Sequence, residues 1–370
     1  MTLTEYKQIL LNTASYTYPA YLQFKLLKYI AQDERIVNDR RKTKRGQGHL
    51  LTINLTEIDG VENKLFHLLH HDEDELYAKL YKYVEEFEFV KGFRHTCIFE
   101  YEADFTLDMI ENYKEAQIKI FNQEDNSYDS IGRIDGTTTP TVKVLENKIL
   151  FKYSYLLVDR EGTKIKYIML IVMDLESKLV SFYFDKVPYE FRNPARDFYA
   201  VMIDKTKDSF EHLTQIKLKC IDFKAIINYM HNEVNVEEDI QVYAQKMKRD
   251  GTTSYLEAKK DEEDELTIPI LGELKNLLRS MDSLFIMNKE TKEIKEILYE
   301  FVEEIELTSD YPTMKIRFKD VGFCLEMIHS YRDRDYSLFK IDGNISDDKE
   351  MIEYATECFA RYYEELKTRT

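Results

Sequence analysis

The chain has 370 residues, 52 Lys+Arg against 69 Asp+Glu and a formal charge of −17, with 44% hydrophobic and 33% charged residues. That is the balance of a folded globular protein, not of a disordered tail, and the length suffices for two or three domains. With only 11 Gly and 6 Pro, and with no G-x-G-x-x-G, P-loop or G-x-S-x-G string, the glycine-dependent nucleotide cradles and the hydrolase elbow lose their support.

The first segment, 1–132, reads as mainly helical and acidic. Tyr6, Ile9 and Leu10, then Tyr21, Phe24, Leu27 and Ile30, recur at helical spacing, as do Leu65, Phe66 and Leu69, and then Leu76, Leu80, Val84 and Phe87. The alternation at 50–55 predicts a short strand. Residues 133–235 change character: 142–145, 149–158, 165–173 and 179–184 are β-branched and aromatic runs separated by turn-like breaks, which predicts an antiparallel meander. The third run is apolar on both faces, as expected of a central strand covered on both sides. Asn193-Pro194 then reads as a helix start.

Residues 236–370 return to helix. Leu274, Leu277, Leu278, Met281 and Phe285 form one stripe, and Ile294, Ile297, Leu298, Phe301, Val302 and Ile305 form another, which together predict a helical hairpin broken at 288–291. A strand is expected at 314–318, an amphipathic helix from Met351 to Leu366, and a charged linker at 259–265. The fold expected is α+β: a helical N-terminal region, a central antiparallel β-meander, and a C-terminal helical region with a small sheet.

Charge is distributed unevenly, at +5 over 1–50, −12 over 51–130, +3 over 131–230 and −13 over 231–370. The densest basic feature is the string at 40–49, with Arg40, Arg41, Lys42, Lys44 and Arg45 followed by two glycines and His49. Five cations in six positions are suited to neutralising phosphates, and glycine allows a backbone to approach them. The competing readings are a solvated loop and one docked on the acids at 72–75.

Three other constellations are candidates for function. His67, His70 and His71 fall within one helical turn, but Leu65, Phe66 and Leu69 share that helix, and capping explains Asp72 and Asp74, so no metal site is assigned. Asp174-x-Glu176-x-Lys178 fits the acid…(D/E)-x-K string of Mg²⁺-dependent nucleases, in which two carboxylates hold the metal and lysine orients water. The meander returns Glu146 to that end and leaves Asp159 roughly 30 Å away at the other, at ~3.3 Å per residue. D-x-E-S-K between two strands is also ordinary turn chemistry. Finally, 27 Tyr suit an interface, with Tyr77, Tyr81 and Tyr83 as candidates.

Four widely spaced cysteines form neither a zinc motif nor a disulfide framework, no run spans a membrane, and the start lacks a secretory pattern, so a cytoplasmic protein without membrane partner is expected. The leading reading is a binding or accessory protein, a complex subunit or homo-oligomer, that contacts nucleic acid through 40–49 without a cofactor. Composition, rich in Lys, Glu, Ile and Tyr and without Trp, suggests an AT-rich genome and hence prokaryotic antiviral defence or a mobile element. The alternatives are a metal-dependent nuclease built on Glu146, Asp174, Glu176 and Lys178 with Mg²⁺, and an acidic protein that imitates DNA.

Overall fold

The computed structural model describes residues 3–33, 35–38, 53–70, 74–113, 117–121, 139–192, 197–230, 240–257, 271–342 and 348–369. The architecture is α+β. Two compact units are formed, Met1–Ile221 with Asn344–Ala360, and Asp222–Gly343 with Arg361–Thr370.

The first unit opens with helices α1 (Leu3–Thr17) and α2 (Ala20–Ile30). The two-residue strands β1 (Ile36–Val37) and β2 (Ile53–Asn54) follow, then α3 (Val61–Leu69) and α4 (Asp74–Val90). Next come β3 (His95–Glu100), the short α5 (Asp108–Glu111), β4 (Lys119–Ile120) and the meander β5 (Thr141–Val144), β6 (Lys148–Val158), β7 (Lys164–Asp174) and β8 (Leu179–Phe184). Helix α6 (Phe198–Thr214) and β9 (Lys219–Cys220) complete it. The strand order is β3-β8-β7-β6-β5-β4, antiparallel except for β4 beside β5, and β9 pairs with the end of β3.

The meander matches its sequence reading closely, and β7 is flanked by β6 and β8 and buried along most of its length. It is apolar on both faces because both are covered. Odd-numbered side chains of β6 and β7 meet α6: Phe151 packs edge-on to Phe210 at 5.2 Å, Tyr167 lies 5.7 Å from Phe198, and the Tyr155 and Thr206 hydroxyls are 2.8 Å apart. Even-numbered side chains face the N-terminal helices, where the Lys166 amide donates to Thr13 Oγ1 at 2.8 Å. The hydrophobic core of that layer joins Tyr6, Leu10, Leu26, Leu65, Leu69 and Phe87 to Ile36 and Ile53 of the β1–β2 pair.

Strand β3 is the element of this unit that helical periodicity conceals. It lies before residue 132, yet pairs along its whole length with β8, so the first two sequence segments fold together. Two expected core residues face outward: Phe24 is 54% and Phe66 51% exposed, and Leu68 takes the buried place on α3. The Asn193-Pro194 helix start and residues 50–52 lie outside the described residues.

The second unit contains α7 (Phe223–Tyr229), capped by Asp222, whose carboxylate accepts from the Lys224 and Ala225 amides. Then come β10 (Ile240–Arg249), β11 (Thr252–Glu257), α8 (Leu271–Ser280), α9 (Asp282–Phe285), α10 (Lys289–Thr308), β12 (Asp310–Phe318), β13 (Phe323–Ile328) and β14 (Leu338–Asp342). Helix α11 (Asp348–Arg369) belongs to the first unit up to Ala360 and to the second from Arg361. The five strands form an antiparallel sheet in the order β11-β10-β12-β13-β14, with irregular register in β10 at 242–244 and 246–248. Asn288 and Thr291 form a reciprocal capping box that starts α10, which is why the helical pattern breaks there.

This unit holds a buried histidine with a pH consequence. His329 is 5% exposed, its Nδ1 lies 3.0 Å from Ser337 Oγ, and its buried Nε2 has no hydrogen-bond partner. Burial, followed by the charge of Lys224, lowers its pKa to about 4 from 6.5. The unfolded chain therefore binds the proton more tightly, and stability falls as pH drops from 6.5 towards 4, by about 3 kcal/mol in all. Urea midpoints of the unit between those pH values are expected to fall for the wild type and to flatten for His329→Phe.

Candidate functional site

In sequence, the basic string at 40–49 lies between β1 and β2, two strands that sit in the N-terminal core. β1 and β2 pair in parallel, Ile36 beside Ile53 and Val37 beside Asn54, with the Ile53 amide donating to Arg35 O and the Leu55 amide to Val37 O, both at 2.8 Å. Ile36 and Ile53 are 3% and 4% exposed, so their burial anchors both ends of the intervening segment. Lys64 of α3 fixes the departing end through a 2.8 Å bond to Asn38 Oδ1. Arg40, Arg41, Lys42, Lys44, Arg45 and His49 themselves lie outside the described residues, as do His71, Asp72 and Glu73. Connections whose ends are held together in this way are a common place for binding residues, because the scaffold positions them without constraining their sequence.

The second candidate lies at the turn end of the meander. Lys148 is paired with Asp174, and the Leu175 amide donates to Asn147 O at 2.9 Å, so the turn containing Glu146 and the turn containing Glu176 do share one end of the sheet. Asp159 is at the other end, beyond the Val158–Lys164 pair. The side chains are committed locally. Asp174 Oδ1 accepts the Glu176 and Ser177 amides at 3.0 Å, and its Oδ2 lies 3.5 Å from Lys148 Nζ. Lys178, with φ of 56°, turns away to Asp104 at 3.3 Å and over the Tyr101 ring. Glu146 and Glu176 are exposed. Among the described residues no three His, Cys, Asp or Glu side chains come together as a metal-binding group. Asp174 acts here as the cap of a turn, and Asp174→Ala is expected to cost about 1 kcal/mol in unfolding free energy. Glu176→Ala, which breaks no side-chain contact in that turn, is expected to leave the thermal midpoint unchanged.

His70 stacks on the exposed Phe66 at 4.1 Å, and its Nδ1 lies 3.1 Å from Phe66 O. Tyr83 is engaged within the chain: its hydroxyl donates to Asp33 and its ring packs edge-on to Tyr29. It is half-buried in the described structure. The Tyr77 and Tyr81 side chains are outside the described set.

A third constellation takes its shape from the fold and not from any sequence motif. Glu85 and Glu88 on α4 meet Lys152 of β6 and Lys166 of β7 with all four side chains at most 1% exposed. Lys152 donates to Glu85 Oε2, to Glu85 O at 3.0 Å and to Glu88 Oε2 at 2.7 Å, which uses all three ammonium protons. Lys166 donates to Glu85 Oε1 and Glu88 Oε2, both at 2.6 Å, and the Tyr6 hydroxyl also donates to Glu85 Oε1. The two carboxyls diverge. Despite the opposing effect of burial, the two lysines hold Glu85 down at about 2, whereas burial and the neighbouring Glu85 charge raise Glu88, whose Oε1 accepts no hydrogen bond. The same carboxylates overcome burial at Lys166 and raise its pKa. Its formal charge balances, and no solvent reaches it. Chemically it is a buried clamp between the helical layer and the sheet.

Comparison with protein-family models, with curated proteins and with solved structures gives no match.

Proposed function

We propose that the protein is a binding or accessory protein that contacts nucleic acid through Arg40, Arg41, Lys42, Lys44 and Arg45, as a subunit of a larger complex or of a homo-oligomer. The observation that carries this reading is the placement of five cations within a segment whose two ends are paired strands seated in a hydrophobic core. Lys and Arg there replace the counterions of phosphates, and the entropy of the released ions drives association. The acidic remainder of the chain does not prevent this, because salt screens charges beyond ~10 Å. On composition alone, the reading extends to prokaryotic antiviral defence or a mobile element.

The test is binding of a short fluorescent DNA duplex and of an RNA of the same sequence, by anisotropy at low salt. The wild type is expected to bind and the variant with all five cations replaced by Ala is not. Equal affinity of the two proteins, or no binding by the wild type, would overturn the reading. A plasmid incubated with Mg²⁺ in the same series, with Glu176→Ala as control, reports the nuclease alternative separately.

A further inference from the structure

The hairpin of α8, α9 and α10 leaves a set of apolar side chains in solvent. Leu277, Met281, Leu284, Ile294, Ile297 and Phe301 are 42–61% exposed, whereas Leu278 and Val302 are the buried side chains among those described in 271–308. Single exposed apolar residues are ordinary, but six at helical spacing on adjoining helices form a patch of the kind that partners cover. A groove of about 560 Å³ runs between α9 and α10 beside it, lined by Phe285, Ile286 and Tyr299, by Asp282, Glu296 and Glu300, and by Lys292 and Lys295.

Charge decides among the possible occupants. Residues 271–308 carry five cations against nine acids, a net charge of −4. Three of the lysines are already engaged inside the hairpin, Lys289 with Glu293, Lys292 with Glu296 and Lys295 with Asp282. Glu293, Glu300 and Glu304, at intervals of seven and four, share the side of α10 turned away from Val302, with Lys289 beside Glu293. The chain's own segment 258–270 carries two lysines against five acids and has the wrong sign to cover this face. A second copy packed antiparallel would set the acidic edge against itself, since a twofold axis brings like edges together. Charge complementarity favours a partner that is a basic helix with one apolar face.

We propose that the α8–α10 face receives a basic amphipathic helix of a partner protein, its apolar side on Ile297 and Phe301 and its cations along the glutamate edge. Three labelled helical peptides test this with the full chain: Leu/Lys, the same apolar pattern with Glu, and the same charge with Ser in place of Leu. The Leu/Lys peptide is expected to bind at physiological salt, at least about tenfold more tightly than either control, and Ile297→Ser with Phe301→Ser to weaken it by about tenfold or more. Both positions are over half exposed, so an unchanged thermal midpoint shows that the variant folds. No binding of the Leu/Lys peptide, equal binding of the Ser peptide, or an unaffected double variant would overturn the proposal. So would sedimentation showing a wild-type dimer that the same two substitutions dissociate.

Discussion

Lys166→Met is expected to destabilise the first unit by about 3–5 kcal/mol, among the largest effects available to a single substitution in this protein. The methionine fills nearly the same space, so the loss is electrostatic: it removes two of the charge-assisted bonds on Glu85 and Glu88 and leaves a buried net negative charge. At roughly 2–4 °C per kcal/mol for a unit of this size, the thermal midpoint should fall by roughly 6–20 °C. Adding Glu88→Leu restores the charge balance around Glu85 and Lys152 and is expected to recover most of the loss. If the double variant were no better than the single one, the cluster would not be acting as a balanced set of charges. The sign with pH follows from Glu85. Its folded pKa is lowered to about 2 by the two lysines, so its stabilising contribution is present above the ordinary carboxylate range and is lost as pH falls towards 2. Glu88, raised by burial and by Glu85, works in the opposite direction and is the carboxyl of the pair that protonates first.

The clamp matters for function through what it holds. α4 is bound to β6 and β7 by these bonds, and α4 also supplies Val84 and Phe87 to the core in which Ile36 and Ile53 sit. The strand pair that bears the basic segment is thus packed into a helical layer whose position over the sheet is fixed by directional, charge-assisted contacts. Under the proposed function, loss of the clamp is expected to lower nucleic-acid binding only in proportion to unfolding, which separates it from the cations themselves.

The meander was legible in the sequence because β5 to β8 are runs of β-branched and aromatic residues divided by turn residues, and because β7 is buried on both faces. β3 was not legible: His95–Glu100 is six residues long, follows a long helical pattern, and owes its pairing to β8 some eighty residues later. β10 and β11 carry lysine, glutamine, serine and threonine on an exposed face, which dilutes the apolar alternation, and β13 and β14 are short. The helical hairpin is legible in its stripes, but periodicity cannot tell a stripe that faces a core from one that faces solvent. The clamp had a visible half. Lys152 and Lys166 each interrupt an apolar strand, and a charge in the middle of a buried run requires a partner. That partner, the Glu85-x-x-Glu88 pair on α4, is defined only by the fold. The return of Glu146 to the Asp174 end followed from strand counting, whereas the capture of Asp174 by turn amides and of Lys178 by Asp104 depends on local geometry.

The five-cation segment is the central claim, and salt dependence measures it most directly. If Arg40, Arg41, Lys42, Lys44 and Arg45 each neutralise one phosphate, log K against log salt for duplex DNA should have a slope near −4.5, at about −0.9 per contact. Affinity then falls several hundredfold between about 50 and 200 mM salt. Each Lys or Arg replaced by Ala should reduce the slope by about one, whatever the DNA sequence, because phosphate contacts carry no base information. The decisive measurement is that slope for the wild type and for the variant lacking all five cations: about −4.5 against near zero is the result the account predicts, and equal slopes, or a wild type that binds no nucleic acid at low salt, would contradict it.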